Sequence, residues 1–276
     1  MLKIRVITAL TLLAVLSLVL YLNSYSLFSF TAAAFLAAAT WESMRLFGVK
    51  PPIFGAALWT VAFLVISFVG GQRATAFQPV LLLGAGTAIW LLRLTPSLAV
   101  GLPPLGTVRN RVLNFFYGIG VLACFVAIVV LFQHSALYLF SVMAIVWVAD
   151  IGAYFTGRAF GKRKLAPSIS PGKSWEGVIG GWGAVLLLAA GTTAMPALRD
   201  TFTARLQAVW GWGGFIPALT LIVAASVVGD LFESQLKRRI GMKDSSNLLP
   251  GHGGVLDRID ALIPVLPLAV LMNYWL

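Results

Sequence analysis

The sequence predicts an all-α, polytopic integral membrane protein with about nine spanning helices. Three observations carry that prediction. The 276-residue chain is 59% hydrophobic and only 11% charged, whereas a soluble domain carries roughly 25% charged residues. Its apolar residues gather into runs close to the ~20 residues that cross hydrocarbon. Its basic residues are divided unevenly between alternate connecting segments, as membrane topology requires.

The runs fall at about 4–22, 27–46, 52–69, 77–95, 112–132, 136–157, 175–195, 214–234 and 255–275. The first follows Lys3 and Arg5 and resembles a signal-peptide start. It is long for a signal peptide and no A-x-A site ends it, so it reads as a retained helix. With the N-terminus in the cytoplasm, seventeen of the twenty Lys and Arg fall inside, and only Arg73, Arg199 and Arg205 fall outside. An even number of spans would destroy this asymmetry. The net charge of +11 therefore reports cytoplasmic loops near anionic lipid. Nucleic acid is not an expected partner, because no basic soluble domain exists to hold it. The one cysteine, Cys124, lies in an apolar run and reads as a buried structural thiol.

Residues 1–110 read as a transmembrane scaffold domain. Their one acid, Glu42, precedes Arg45 by three residues and reads as an interfacial ion pair. Pro51 and Pro52 open the third run, and Gly70 and Gly71 close it. The Pro- and Gly-rich stretch 95–111 reads as a linker to a catalytic transmembrane domain, 111–276. No repeat with a period of 20–50 residues is visible.

The second domain carries the chemistry. Asp150 and Tyr154 share one helix face near the end of the sixth run, beside small Gly152, Ala153 and Gly157. Asp150 supports either a polar site or a structural bond between helices. A basic loop follows, with Arg158, Lys162, Arg163, Lys164 and Lys173 and no acid. It suits a headgroup anchor. It also leads through Ser170-Pro171-Gly172-Lys173-Ser174 into a helix that Ser174 can cap, with Glu176 in its first turn. A Walker A motif is excluded, because Pro167 stands where the first glycine belongs. The segment 196–213 reads as an outer loop, with Trp210 and Trp212 in an aromatic belt.

The densest stretch is 229–260. It holds Asp230, Glu233, Asp244, Asp257 and Asp260 beside Lys237, Arg238, Arg239, Lys243 and Arg258. More than half of the chain's nine acids lie here, and acids at the ends of apolar helices mark functional sites. Asp230, Glu233 and Ser234 share one helix face, and Asp257 and Asp260 share another. Between them lies a turn-rich loop with His252, Gly253 and Gly254. Folding that loop back brings the carboxylates together. Carboxylate oxygens suit Mg²⁺, and the soft ligands of Zn²⁺ are missing. Lys237, Arg238 and Lys243 suit phosphate oxygens. The bland alternatives are that the Lys237–Arg239 run signals topology, that Arg258 pairs Asp257 or Asp260, and that Asp244 and His252 serve only the loop.

The run from Ser234 to Asp260, S-x-x-K-R-x₄-K-D-x-S-x-x-L-P-x-H-G-G-V-x-D-R-I-D, resembles the signature of the phosphatidate cytidylyltransferases. The run from Asp150, D-x-G-A-Y-x-x-G-R-x-F-G-K-R-K-L-A-P, is similar to bacterial members. The resemblance covers about 147–181 and 229–260; the N-terminal half agrees only in being hydrophobic. It implies transfer of CMP from CTP to phosphatidic acid, giving CDP-diacylglycerol and pyrophosphate, at a site facing the cytoplasm from a bacterial inner membrane. It brings with it Mg²⁺, a second monovalent cation such as K⁺, and a homodimer as expectations. Asp230, Asp257 and Asp260 become the expected metal ligands, and Ser234, Lys237 and Lys243 join them as catalytic residues. Ser170, Lys173, Arg238, His252, Gly253 and Arg258 are expected on phosphates. Asp150, Tyr154, Glu176, Glu233 and Asp244 are expected to support the polar site. Two readings of other classes stay open: another CTP-dependent lipid enzyme such as a polyprenol kinase, and an anion transporter.

Overall fold

The structure, a computed structural model, describes residues 2–70 and 79–276, without the side chains of 2–5, 9 and 12. Arg73, Gly71 and the first residues of the fourth predicted span lie outside the described residues. The helices are α1 (Leu2–Leu22), α2 (Tyr25–Leu46), α3 (Pro52–Val65), α4 (Val80–Ile89), α5 (Thr95–Val100), α6 (Val108–His134), α7 (Ala136–Phe160), α8 (Trp175–Ala194), α9 (Phe202–Arg239), α10 (Leu256–Ile259) and α11 (Leu262–Asn273). Strands β1 (Lys164–Ala166) and β2 (Ser170–Ser174) lie between α7 and α8. Among the described residues, six helical stretches are long and apolar enough to cross a membrane: Pro52–Val69, Val80–Val100, Val108–His134, Ala136–Phe160, Trp175–Ala194 and Phe202–Arg239. The protein is helical and membrane-type, with one small sheet.

That sheet is the first departure from an all-α chain. β1 and β2 pair antiparallel, with Lys164 opposite Ser174 and Ala166 opposite Ser170. Pro167 and Pro171 make a helix costly here. The hairpin instead pairs the backbone groups that a loop would leave unsatisfied. Ser174 then caps α8, accepting a hydrogen bond from Gly177 N at 3.2 Å, as its position suggests.

Three predicted boundaries also move. The stretch 95–111 is not all linker. The helix runs through a π-helical turn, Trp90–Leu94, into α5, and Thr95 Oγ1 donates to Trp90 O at 2.7 Å. Pro96 follows the π-helical turn directly, where the regular i→i−4 ladder is already interrupted. The predicted outer loop 196–213 is mostly helical. Thr201 caps α9, whose N-terminal part bends at Gly211 (φ 59°) before the long run continues. The ninth predicted span is split. Asp260 and Ala261 separate α10 from the twelve-residue α11.

One hydrophobic core joins both halves. Leu36 of α2, Leu83 of α4, Val121 of α6, Val142 of α7, Leu219 of α9 and Val265 of α11 are fully buried in it. Residues on both sides of position 110 therefore share one interior. Cys124 is buried in it, as expected, with Sγ 3.7 Å from Leu262 O.

Helices α7 and α8 pack closely, and small residues allow it. A Cβ on Gly152 would lie 2.9 Å from Ala184 Cβ, and one on Gly177 would lie 2.9 Å from Ala153 O. One on Gly181 would collide with Ala149 O. Thr156 Oγ1 also lies 3.3 Å from Gly177 O across the seam. Without a solvent-driven force between helices in lipid, such close packing holds them together. Gly181→Ala is expected to cost about 1–3 kcal/mol by overpacking. Thermal unfolding in detergent should show it as a lower midpoint; an unchanged midpoint would mean the seam is loose.

Candidate active site

The last turns of α9 carry the first half of the site. Ser234 Oγ donates to Asp230 Oδ1 at 3.2 Å, so the i,i+4 face is real. Lys237 is buried. Its Nζ donates to Glu233 Oε2 and, at 2.6 Å, to Asp257 Oδ1. Placing an ammonium between two carboxylates offsets the desolvation that would otherwise expel all three. The sequence reading put Lys237 on phosphate. In the structure its ammonium lies between two carboxylates.

Asp257 stands in the first turn of α10 and is the hub of the loop before it. Its Oδ2 accepts from Ser245 N and Gly254 N, each at 2.8 Å, and from Ser245 Oγ at 2.9 Å. Gly253 has φ 87°, and a Cβ there would lie 2.8 Å from Asp257 Oδ2. Glycine at this position allows both the positive φ and the close carboxylate. Arg258 Nε donates to His252 O at 3.0 Å and closes the loop. In this structure His252 and Arg258 thus bind each other, with a backbone carbonyl as acceptor. Arg258 pairs neither Asp257 nor Asp260.

The hairpin supplies the second half. Lys173 on β2 forms an ion pair with Asp230 Oδ2 and so joins the two sequence motifs. Between α7, α8, α9 and β2 lies a cavity of about 530 Å³, lined by Asp150, Tyr154, Ser170, Lys173, Ser226 and Asp230 among others. Asp150, Tyr154, Ser170 and Lys173 are thus brought together as the sequence suggests. Gly229 lets α9 approach the other carboxylates. A Cβ there would meet Asp260 O and lie 2.9 Å from Pro264 Cδ. Asp260 consequently sits within Coulombic range of Asp230 and Glu233.

Other predicted residues lie elsewhere. Glu176 accepts from Lys162 N at 3.1 Å and from Arg163 N and Nε at 3.2 Å, so it braces the hairpin. Arg238 is exposed, donates to Met242 O at 3.1 Å, and borders a groove with Ser168 and Ile169. Lys243 and Asp244 line a separate pocket of about 490 Å³ with Trp41 and Arg45.

Two functional-looking residues escaped the sequence reading. Arg239 was read with its neighbours as a phosphate-binding cation or, more blandly, a topology signal. Its guanidinium donates to Leu46 O at 3.0 Å, Pro103 O at 3.0 Å and Asn110 Oδ1 at 2.8 Å. It also lies 5.2 Å from the centre of the Phe47 ring. It ties α9 to the ends of α2 and α6. Glu42 was read as paired with Arg45. Glu42 is fully buried beneath the 245–256 segment, and the Arg45 guanidinium lies over the Trp41 ring at 4.6 Å. Polar positions one turn apart suggested a surface pair; the loop that covers Glu42 comes from the far end of the chain.

Among the described residues, no group of three or more His, Cys, Asp or Glu is arranged to hold a metal ion by itself. The charge count is suggestive all the same. Asp230, Glu233, Asp257 and Asp260 face two ammonium groups, Lys173 and Lys237. Glu233 Oε1 is buried without a hydrogen-bond partner among the described residues.

A cluster of acids and lysines beside a cavity, set at the ends of apolar helices, defines a helical integral membrane protein whose site suits phosphate groups and cations. A model of the cytidylyltransferase family matches residues 3–276. The chain belongs to that family. It is 36% identical to a phosphatidate cytidylyltransferase of Haemophilus influenzae, over 97% of this chain and 96% of that one. It is 41% identical to one of Pseudomonas aeruginosa, over 97% of this chain and 95% of that one. With one of Brucella suis the identity is 47%, over 47% of this chain and 44% of the relative.

Proposed function

We propose that this protein transfers CMP from CTP to phosphatidate in the membrane, forming CDP-diacylglycerol and pyrophosphate. The observation that carries the reading is the Lys173–Asp230 contact. It joins two motif-bearing segments at one cavity, where two polyanions can meet. A phosphatidate oxygen attacks the α-phosphorus of CTP. A P–O bond forms there, the bond to the β-phosphate bridge breaks, and pyrophosphate leaves with its electron pair. The nucleophile is already an oxyanion, so no strong base is needed. Such transfers are driven by positioning and charge neutralisation.

In this reading Lys173 and Ser170 face phosphate oxygens from the cavity wall. Lys237 acts indirectly, by orienting Asp257 and Glu233. The donor set fits Mg²⁺, which is held by one or two carboxylates with substrate phosphates and water. Asp230 and Asp260 would hold it, with Asp257 Oδ1 and the unpartnered Glu233 Oε1 adjoining. When bound, the ion supplies charge neutralisation at the phosphates. The four carboxylates outnumber the two ammonium groups, and a bound divalent cation would favour their ionised forms; a monovalent cation would act in the same direction.

The basic excess of the intervening segments supports nine spans with the N-terminus and both motif segments in the cytoplasm, where CTP is found. The test uses membrane vesicles of each orientation, given phosphatidate, labelled CTP and Mg²⁺. CDP-lipid and pyrophosphate are expected from inside-out vesicles. CDP with a phosphorylated lipid would mean a kinase. No product from either orientation, nor from detergent-solubilised protein, would refute the transferase reading.

A further inference from the structure

We infer that Glu42, a residue of the N-terminal scaffold, is a positioning residue for the active-site loop. The inference rests on the transferase reading, and it concerns a residue outside both motifs.

Glu42 is 0% exposed. A buried carboxylate survives only where donors replace its water. Every hydrogen bond that satisfies it comes from the loop and from the start of α10. Oε1 accepts from Val255 N at 3.1 Å and from Ser246 Oγ. Oε2 accepts from Leu256 N at 2.6 Å and lies 3.2 Å from Ser245 Oγ. Ser245 Oγ is also 2.9 Å from Asp257 Oδ2. One hydroxyl thus stands between the scaffold carboxylate and the active-site carboxylate, with a single proton to give. Glu42 and Asp257 therefore grip the same segment from opposite sides.

The glycines of the loop corroborate this. A Cβ on Gly254 would collide with Ser245 Oγ and Glu42 Oε1. Gly253 is crowded in the same way by Asp257. The Gly253-Gly254 pair is the space that two carboxylates need to reach the backbone between them. Glu42 touches no reacting atom in this account. It acts through Asp257, and through Asp257 on Lys237.

Glu42→Gln keeps the shape but turns an NH₂ toward groups that are themselves donors. The kcat for CDP-lipid formation is expected to fall about 10–100-fold, the scale for losing an outer-shell partner. The KM for phosphatidate should stay near the wild-type value, and the Mg²⁺ needed for half-maximal rate should rise. Amide hydrogen exchange should quicken in 244–257 and stay unchanged elsewhere. Wild-type kcat with wild-type exchange in that segment would overturn the inference. So would faster exchange spread over the whole chain, which would make Glu42 an ordinary stabilising group. If Glu42→Gln does not fold, Ser246→Ala removes one donor and is read in the same way, with wild-type kcat and exchange again overturning it. Exchange is measured without substrate, so it judges Glu42 even if wild-type protein makes no CDP-lipid, the result that would refute the transferase reading alone.

Discussion

Asp257→Asn is expected to lower CDP-diacylglycerol formation by about a thousandfold or more. The change keeps the volume of the side chain and removes its charge. In the native structure Oδ1 meets Lys237 and Oδ2 meets three donors from Ser245 and Gly254. An amide can present its oxygen to only one of these sides. Its NH₂ then faces Lys237 or the loop N–H groups, donor against donor, and the other set loses its acceptor. Lys237 is left with Glu233 alone. Charge-assisted bonds are about twice as strong as neutral ones, and several kcal/mol of transition-state stabilisation depend on this cluster. At about 1.4 kcal/mol per factor of ten, that is a loss near 10³. Initial rates with labelled CTP measure it, alongside a size-exclusion profile showing that the protein is folded. Wild-type turnover at limiting Mg²⁺ would sink both the hub and its part in cation binding.

Asp230→Asn is expected to cost about 10²–10³-fold in kcat/KM, on the scale of removing one preorganised electrostatic group. Among the described residues, Asp230 is the acid that pairs with both halves of the site. It accepts from Ser234 on its own helix and from Lys173 on the hairpin. Lys173→Met should cost less, because the acid and the cavity survive. The double variant should be little worse than Asp230→Asn, since residues acting as a unit do not add. Rates for the four proteins close the cycle. Strict additivity would show that Lys173 and Asp230 work separately and that their contact is incidental.

The legibility of this site in the sequence was uneven for a physical reason. Spacing along one helix was readable, because 3.6 residues per turn decide which side chains share a face. Asp230 with Ser234 is such a pair, and it exists. The cap at Ser174 was readable for the same reason, since the capping oxygen and the N–H that donates to it are three residues apart. Lys237 was placed on its helix, but its carboxylate neighbours could not be read from spacing. Its second carboxylate, Asp257, lies 20 residues away across a folded loop. Glu42 was misread, and the partners of Arg239 went unread. Ser246 is 204 positions from Glu42, and Leu46 is 193 from Arg239. In each case a bland local explanation stood nearer at hand, a one-turn ion pair or a basic topology signal.

By itself the sequence determined that this chain is helical and lives in a membrane, since apolar run length and composition decide that against water. It also determined the cytidylyltransferase family, because the polar positions of the two motifs stand in order along the chain. Only the tertiary structure decided which charges meet. Packing α9 against α11 brings Asp260 toward Asp230, and the hairpin carries Lys173 there. Glu42 of α2 accepts hydrogen bonds from the loop that carries Asp257. Hydrogen bonds between segments far apart in sequence have no period to be read; they exist only once the helices have packed.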